Sequence, residues 1–369
     1  MHKLSIRNQI SGIIGNLLEH YDTALFGLLA PFLAPIFFPN QNSLNGLILT
    51  HSILCSGILI RPFGALFFGW IGYIFGRRQA LSLSLLGTAF VTIGIGFLPT
   101  YEKVGIYAPL FLTLGKMLQS FFAAAEFIGG AIFVLEHTPQ EKQSLLSSLY
   151  DSCAIGGVLL ASVIVTYMSE YTHLENTWRI LFWLGGITAI IGFYLRWNNI
   201  TYGNPNYSQK TSSVFSILRF NRKQFISIVI TSGFSYAIYS LAFSLMNGYI
   251  PLVTSFSKTT MMQLNSILLV VDMLLLPLFG GLSSKIGKEK IMMIGAILSS
   301  ICAIPLFALL KNAPFTLIIF VRLMITILGV SFCATYHAWT VSIVEYRYRY
   351  PVLLLAYSCL LYTSPSPRD

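Results

Sequence analysis

An all-α membrane protein is what this sequence predicts, with about ten complete transmembrane helices and the stub of an eleventh. Three observations predict it. Apolar residues fill 55% of the 369 positions and charged residues only 10%, where a soluble chain carries about 25% charge. The apolar residues are gathered in blocks of roughly 20 or more, the length a helix needs to cross ~30 Å of hydrocarbon. Cations collect in every second connection between the blocks, the asymmetry that orients a chain in a bilayer.

The blocks run approximately over 9–37, 45–73, 79–98, 106–135, 145–168, 178–197, 224–252, 264–282, 291–310 and 314–343, and an eleventh begins near Val352. Each is read as a helix because nothing in hydrocarbon satisfies backbone N–H and C=O groups, so the segment must bond to itself. Lys3 and Arg7 precede the first block, Arg77 and Arg78 follow the second, and Lys142 follows the fourth. Arg196, Lys210, Arg219, Arg222 and Lys223 follow the sixth, Lys285, Lys288 and Lys290 the eighth, and Arg347 and Arg349 the tenth. The opposite connections hold Lys103, Lys258 and Lys311, with Arg179 at a helix start. Positive loops stay inside, so the N-terminus is expected in the cytoplasm. The same distribution disposes of the first inference from a net charge of +10. Cations spread over alternate loops do not make a nucleic-acid face, and the partner they imply is the lipid bilayer.

The one long polar connection, 198–223, divides the chain into an N-terminal six-helix bundle, 1–197, and an incomplete second bundle, 224–358. Cys55, Cys153, Cys302, Cys333 and Cys359 lie in apolar blocks without metal-ligand spacing and read as small core residues. No metal and no cofactor is implied. No His-Glu-x-x-His, Gly-x-Ser-x-Gly or His-rich cluster occurs, so no catalytic residue is assigned and an enzyme is not expected.

Two connections resemble each other. The first contains Gly69, Gly72, Gly76, Arg77 and Arg78; the second reads Gly280-Gly281-Leu-Ser-Ser284-Lys285-Ile-Gly287-Lys288. Each joins the second and third helices of its half and combines glycine for a tight turn with cations for the membrane surface. Recurrence at equivalent positions implies a duplicated six-helix unit, an organisation found in transporters.

Here a family resemblance becomes specific. The first connection resembles the major facilitator superfamily signature, Gly-x-x-x-Asp-Arg-x-Gly-Arg-Arg, between helices two and three. More narrowly the chain is similar to the metabolite:proton symporters of proline/betaine, shikimate, citrate and dicarboxylates. Gly15-Asn16-x-x-Glu19-His20-Tyr21-Asp22, Arg61-Pro62-Phe63-Gly64, Gln119 through Glu126 with Gly129, Phe133-Val134-x-Glu136-x-x-Pro139, Trp178-Arg179-Ile180 and Arg347-x-Arg349-Tyr350 match that family's pattern. The resemblance implies two six-helix bundles, alternating access, and proton-coupled symport of a small organic acid, amino acid or betaine. Tyr73 stands where the signature has an acid that normally locks the cytoplasmic gate, and Ser284 stands there in the second copy. An exporter of the same superfamily would carry a Gly/Pro-rich stretch in helix five; Gly156-Gly157 stand there without proline. Twelve helices are implied, so the chain is expected to be C-terminally truncated, with 359–369 a non-native tail. A truncated remnant without transport is the further alternative.

Charges inside apolar helices cost roughly 2.5–3.5 kcal/mol each and so point to function. Gly15, Glu19 and Asp22 fall at i, i+4 and i+7 and share a helix face. Counting ~1.5 Å per residue puts Glu19 about 15–18 Å from the Arg7 end, and Arg61 counts to a similar depth. A Glu19–Arg61 or Asp22–Arg61 pair is therefore expected near the midplane, with the carboxyl as proton carrier. Lys116, Gln119, Ala123 and Glu126 form one stripe, and the second half adds Asp272, Arg322 and His337. Static ion pairs that fix helix packing stand as the other reading, and for His337 a simple hydrogen bond is favoured. Glu136 and Asp151, at helix ends, are expected to pair with Arg77 and Arg78 at the gate, together with the second loop's Lys285, Gly287 and Lys288.

Overall fold

The computed structural model describes residues 2–171, 174–199, 214–311 and 313–360, and among these it holds sixteen α-helices and no strand. The first three are α1 (His2–Phe37), α2 (Ser43–Ile74) and α3 (Arg77–Gly96). A single turn, α4 (Tyr101–Val104), leads into a fourth span made of α5 (Tyr107–Ala123) and α6 (Glu126–Glu136). Then come α7 (Gln143–Tyr171), α8 (Leu174–Asn199) and the short α9 (Val214–Phe220). The seventh span joins α10 (Arg222–Tyr239), a π-helical segment (Ser240–Leu245) and α11 (Met246–Val253). The eighth and ninth are α12 (Lys258–Ile286) and α13 (Lys288–Ala308), and the tenth is α14 (Phe315–Cys333) followed by α15 (Tyr336–Ile343). α16 (Arg349–Leu360) is the eleventh. Nine of the described stretches are long and apolar enough to cross a membrane. α1 is a tenth by its 36 residues, although Asn16, Glu19, His20 and Asp22 dilute its apolar run.

The ends follow local chemistry. Asn42 caps α2 through a bond from the Asn45 N–H (2.8 Å), and Ser257 caps α12 through one from the Thr260 N–H (3.1 Å). Each cap satisfies one of the four unpaired donors of a helix start. Gly76 and Gly287 occupy φ +99° and +102° between helices two and three of each half. Only glycine is at ease there, so the two loops that resemble each other in sequence also share a backbone conformation. The fourth and tenth blocks share a second feature. Each expected continuous helix is broken, at Ala124-Ala125 and at Ala334-Thr335.

The chain clusters into two compact units. The first gathers Met1–His137, Cys153–Phe225 and Val344–Tyr362; the second gathers Thr138–Ser152 and Ile226–Ile343. The core of the first is built on Leu25, Phe26, Leu29 and Phe37 of α1 with Leu112, Trp178 and Phe182. The indole of Trp178 stands edge-on to Phe37 at 5.7 Å, an arrangement aromatic quadrupoles favour. The core of the second unit is built on Met246, Ile250, Met261, Leu264, Ile318 and Val321.

α16 packs on α2 and α6 within the first unit. A Cβ at Gly72 or Gly129 would run into the ring of Tyr350, and one at Gly69 would meet Pro351 at 3.3 Å. These signature glycines are thus the floor on which α16 lies.

Candidate functional site

In the first unit, the polar face of α1 meets α3 and α5. Asp22, 4% exposed, accepts hydrogen bonds on Oδ2 from Gln119 Nε2 (2.7 Å) and Thr92 Oγ1 (3.0 Å). Gln119 turns its carbonyl the other way, where Oε1 accepts from Lys116 Nζ at 2.6 Å. The amide therefore bridges a buried acid and a buried cation. Lys116 Nζ also lies over the Phe26 ring, 4.9 Å from its centroid. Hydrogen bonds to charged groups are worth about 1.5–3 kcal/mol each, which offsets the burial of both charges. Asp22 Oδ1 has no hydrogen-bond partner. It points at α8, where a Cβ on Gly185 would come within 2.7 Å.

The cluster opens on a cavity of about 180 Å³ lined by Glu19, Asp22, Arg61, Lys116 and Gln119, with Thr88 and Ser120 among its other polar walls. A protein cavity of ~150 Å³ can hold a benzene ring, so this one admits a small solute or several waters. Two acids and two cations share one chamber. The close approach of its walls rests on glycines: a Cβ at Gly64 would strike the Phe121 carbonyl, and one at Gly57 would strike Ser120.

The structure brings five of the expected residues together here and gives Asp22 partners other than Arg61. Asp22 bonds to Gln119 and Thr92, and not to Arg61. Gln119 of α5 and Thr92 of α3 share Asp22 Oδ2, and Lys116 reaches the acid only through the Gln119 amide. Glu126 does not line the chamber. It opens α6 beyond the break and accepts a bond from Ser84 Oγ at 3.2 Å. Sequence reasoning missed the α3 wall, although Ser84, Thr88 and Thr92 recur at i, i+4 and i+8 and mark one hydroxyl-bearing face.

In the second unit, Arg322 is 1% exposed. Its guanidinium donates to Asn247 Oδ1 (2.9 Å), Asn265 Oδ1 (2.6 Å), and the carbonyls of Ala242 (3.1 Å) and Met261 (3.2 Å). Every one of these acceptors is neutral. Ala242 lies in the π-helical segment, where the widened turn frees a carbonyl that α-helical bonding would have used. Asp272, fully buried, accepts from Tyr239 Oη at 3.2 Å.

The residues expected at the gate fall into two groups. In the first unit, Glu136 holds Arg77 in an ion pair and accepts from Arg349 Nη1 at 2.8 Å. Arg77 and Arg349 both lie over the Tyr346 ring, 4.4 and 5.5 Å from its centroid. Tyr73, at the position of the missing signature acid, accepts from Arg347 Nη2 at 3.5 Å, the outer limit of a hydrogen bond. The Arg78 side chain lies outside the described residues. In the second unit, Asp151 bonds His337 Nε2 at 2.9 Å; its expected pairing with Arg78 falls outside the described residues. The face of α7 that bears Asp151 turns toward α15, since Ser147 one turn earlier accepts from the Ala338 N–H (3.3 Å). Lys288 Nζ donates to the Ala338 carbonyl at 3.3 Å, whereas Lys285 and Gly287 are exposed.

Comparison with known proteins gives a consistent picture. The family model described as Major Facilitator Superfamily matches residues 13–358. The glycine betaine/proline/ectoine/pipecolic acid transporter OusA of Dickeya dadantii (strain 3937) is 26% identical over 365 residues, covering 94% of this chain and 72% of its own length. The proline/betaine transporter of Escherichia coli (strain K12) is also 26% identical over 365 residues, covering 94% and 73%. Among solved structures, the proton:xylose symporter XylE bound to 6-bromo-6-deoxy-D-glucose superposes with a TM-score of 0.76 at 17% identity, covering 98% of this chain and 86% of that one.

Proposed function

The chain belongs to the Major Facilitator Superfamily, and from that premise we propose that the mixed-charge chamber of the first unit takes a small zwitterion as cargo. The protein is a multi-pass membrane transporter of the proton-coupled symport type. What supports the zwitterion reading is one observation: Glu19 and Asp22 face Arg61 and Lys116 across a single cavity. A betaine or proline carries a cationic nitrogen and a carboxylate a few bonds apart. The acids would attract the nitrogen, and Arg61 and Lys116 would attract the carboxylate. A neutral sugar offers no charge to complement either pair. The names of the two transporters above point to the same class of solute.

In this reading Gln119 is the relay. Its amide contacts Asp22 and Lys116 at once, so a solute that displaces it from either partner alters both charges together. The bundles 1–197 and 224–358 would rock about the chamber in alternating access. The Glu136 cluster would hold the cytoplasmic side, with the N-terminus in the cytoplasm of a bacterial inner membrane. No part of this cycle calls for a catalytic residue.

The test is uptake by the full chain in proteoliposomes with an inward-directed proton gradient, using radiolabelled glycine betaine and proline, with xylose as control. Accumulation of either zwitterion that collapses on adding a protonophore, and fails in Asp22→Asn, is the expected result. Accumulation of xylose in place of the zwitterions, or uptake that ignores Asp22→Asn, would overturn the reading.

A further inference from the structure

We propose that Asp272, in the second unit, is a second proton-binding group, with Tyr239 as its positioning residue. The proposal rests on the transport reading above and adds a site to it.

Asp272 lies in the middle of α12 and is completely buried. One carboxyl oxygen accepts from Tyr239 Oη at 3.2 Å, and the other has no hydrogen-bond partner. No cation answers it among the described residues. Arg322, a buried cation of this unit, directs its two Nη groups to Asn247, Asn265 and two carbonyls and makes no bond to Asp272. Lys288 is bonded to the Ala338 carbonyl. A buried acid that is paired with a cation is a structural strut. One that has a hydroxyl on one oxygen and nothing on the other is suited to exchanging a proton, because the free oxygen is where the proton resides.

The titratable groups around it form a graded set. From α10, Tyr239 donates to it. From α14, Cys333 stands near, bonded to Ser235 at 3.1 Å. From α15, Tyr336 is bonded to Ser232, and His337 to Asp151. From α7, the Asp151 carboxylate acts on Asp272 electrostatically. Ser152, the neighbour of Asp151, donates to the carbonyl of Met273 at 2.7 Å, so the start of α7 is tied to the turn that carries Asp272. The Asp151 side chain is 18% exposed, whereas Asp272 is sealed. A second acid within electrostatic reach gives each proton a choice of site. His337 is hydrogen-bonded to Asp151 and so belongs to the same set of groups. The chemistry is a proton association with the Asp272 carboxylate and its later release, with no other reactant.

The experiment uses the full chain in proteoliposomes supplied with radiolabelled proline or glycine betaine from outside. Each unit of pH gradient supports about tenfold accumulation per proton carried. In Asp272→Asn the gradient-driven accumulation should fall to the level without a gradient, and the residual exchange flux should lose its dependence on pH. Asp272→Glu should restore both. Tyr239→Phe, which removes only the hydroxyl, should shift the pH profile of uptake. Wild-type accumulation with a wild-type pH profile in Asp272→Asn would overturn the proposal. Were Asp272→Asn not to assemble, an unshifted pH profile in Tyr239→Phe would overturn it equally. Transport by the wild type that survives these results leaves the zwitterion reading intact, whereas a wild type that moves neither solute removes that reading first.

Discussion

The fourth and tenth spans occupy corresponding places in the two halves, break after 17 and 19 residues respectively, and each carries one buried cation, Lys116 in α5 and Arg322 in α14. Their surroundings differ. Lys116 sits opposite an acid, joined to it through the Gln119 amide, on the wall of a cavity. Arg322 sits among amide and backbone oxygens, all of them neutral. Lysine offers a compact charge on a flexible stem, and arginine offers a planar fork of five donors. The first suits a charge that must respond to a solute. The second suits a charge that holds three helices in register. A duplicated architecture thus carries a buried cation in the corresponding span of each half, in different surroundings.

The largest effect should come from breaking the arginine clamp. Arg322→Ala removes four hydrogen bonds from a buried guanidinium, each worth about 1.5–3 kcal/mol when the donor is charged, so the loss in unfolding free energy should exceed about 4 kcal/mol. Thermal unfolding of the purified protein in detergent would measure it, and Arg322→Lys should recover only part. A drop as small as that of Lys116→Ala would erase the distinction drawn between the two spans.

The lysine side of the comparison is sharpened by coupling. Asp22→Asn and Lys116→Ala, combined in a double-mutant cycle on unfolding, should interact by about 1–3 kcal/mol, and Gln119→Leu should abolish that interaction. Strict additivity would mean that the amide bridge transmits nothing.

A smaller effect tests the symmetry of the halves. Gly76→Ala and Gly287→Ala each force a side chain to a φ near +100° and should each cost about 1–2 kcal/mol, equally in both loops. A marked inequality would mean that one turn is held by its surroundings and not by its own backbone.

The smallest effect is expected at Tyr73. Tyr73→Phe removes only the 3.5 Å contact with Arg347 and should leave the melting temperature unchanged. Glu136, which engages both Arg77 and Arg349, carries the electrostatic work at that end, and Glu136→Gln should lower the melting temperature where Tyr73→Phe does not.

The family resemblance extended to details that the structure explains one by one. Arg349 and Tyr350 of the Arg-x-Arg-Tyr pattern meet Glu136, Gly72 and Gly129 of two other motifs. Motifs far apart in sequence thus turn out to be halves of single contacts. The polar stripe of α3 was legible by its four-residue period and went unread because hydroxyls are common in membrane helices, where they bond back to their own carbonyls. The π-helical segment left no mark in composition, since Ser240–Leu245 is as apolar as its flanks.

Hydropathy, loop charge and turn glycines are local properties, and from them the sequence by itself determined the number of spans, the places where the chain turns and which helices carry charge. Partners were decided by the tertiary structure alone. Asp22 finds Gln119 across 97 positions and His337 finds Asp151 across 186. Those pairings depend on how helix faces rotate and how closely backbones approach, which glycines such as Gly57, Gly64 and Gly185 permit but do not direct. A helix shows its polar face in its own spacing; which neighbour meets that face is settled only when every face must be buried at once.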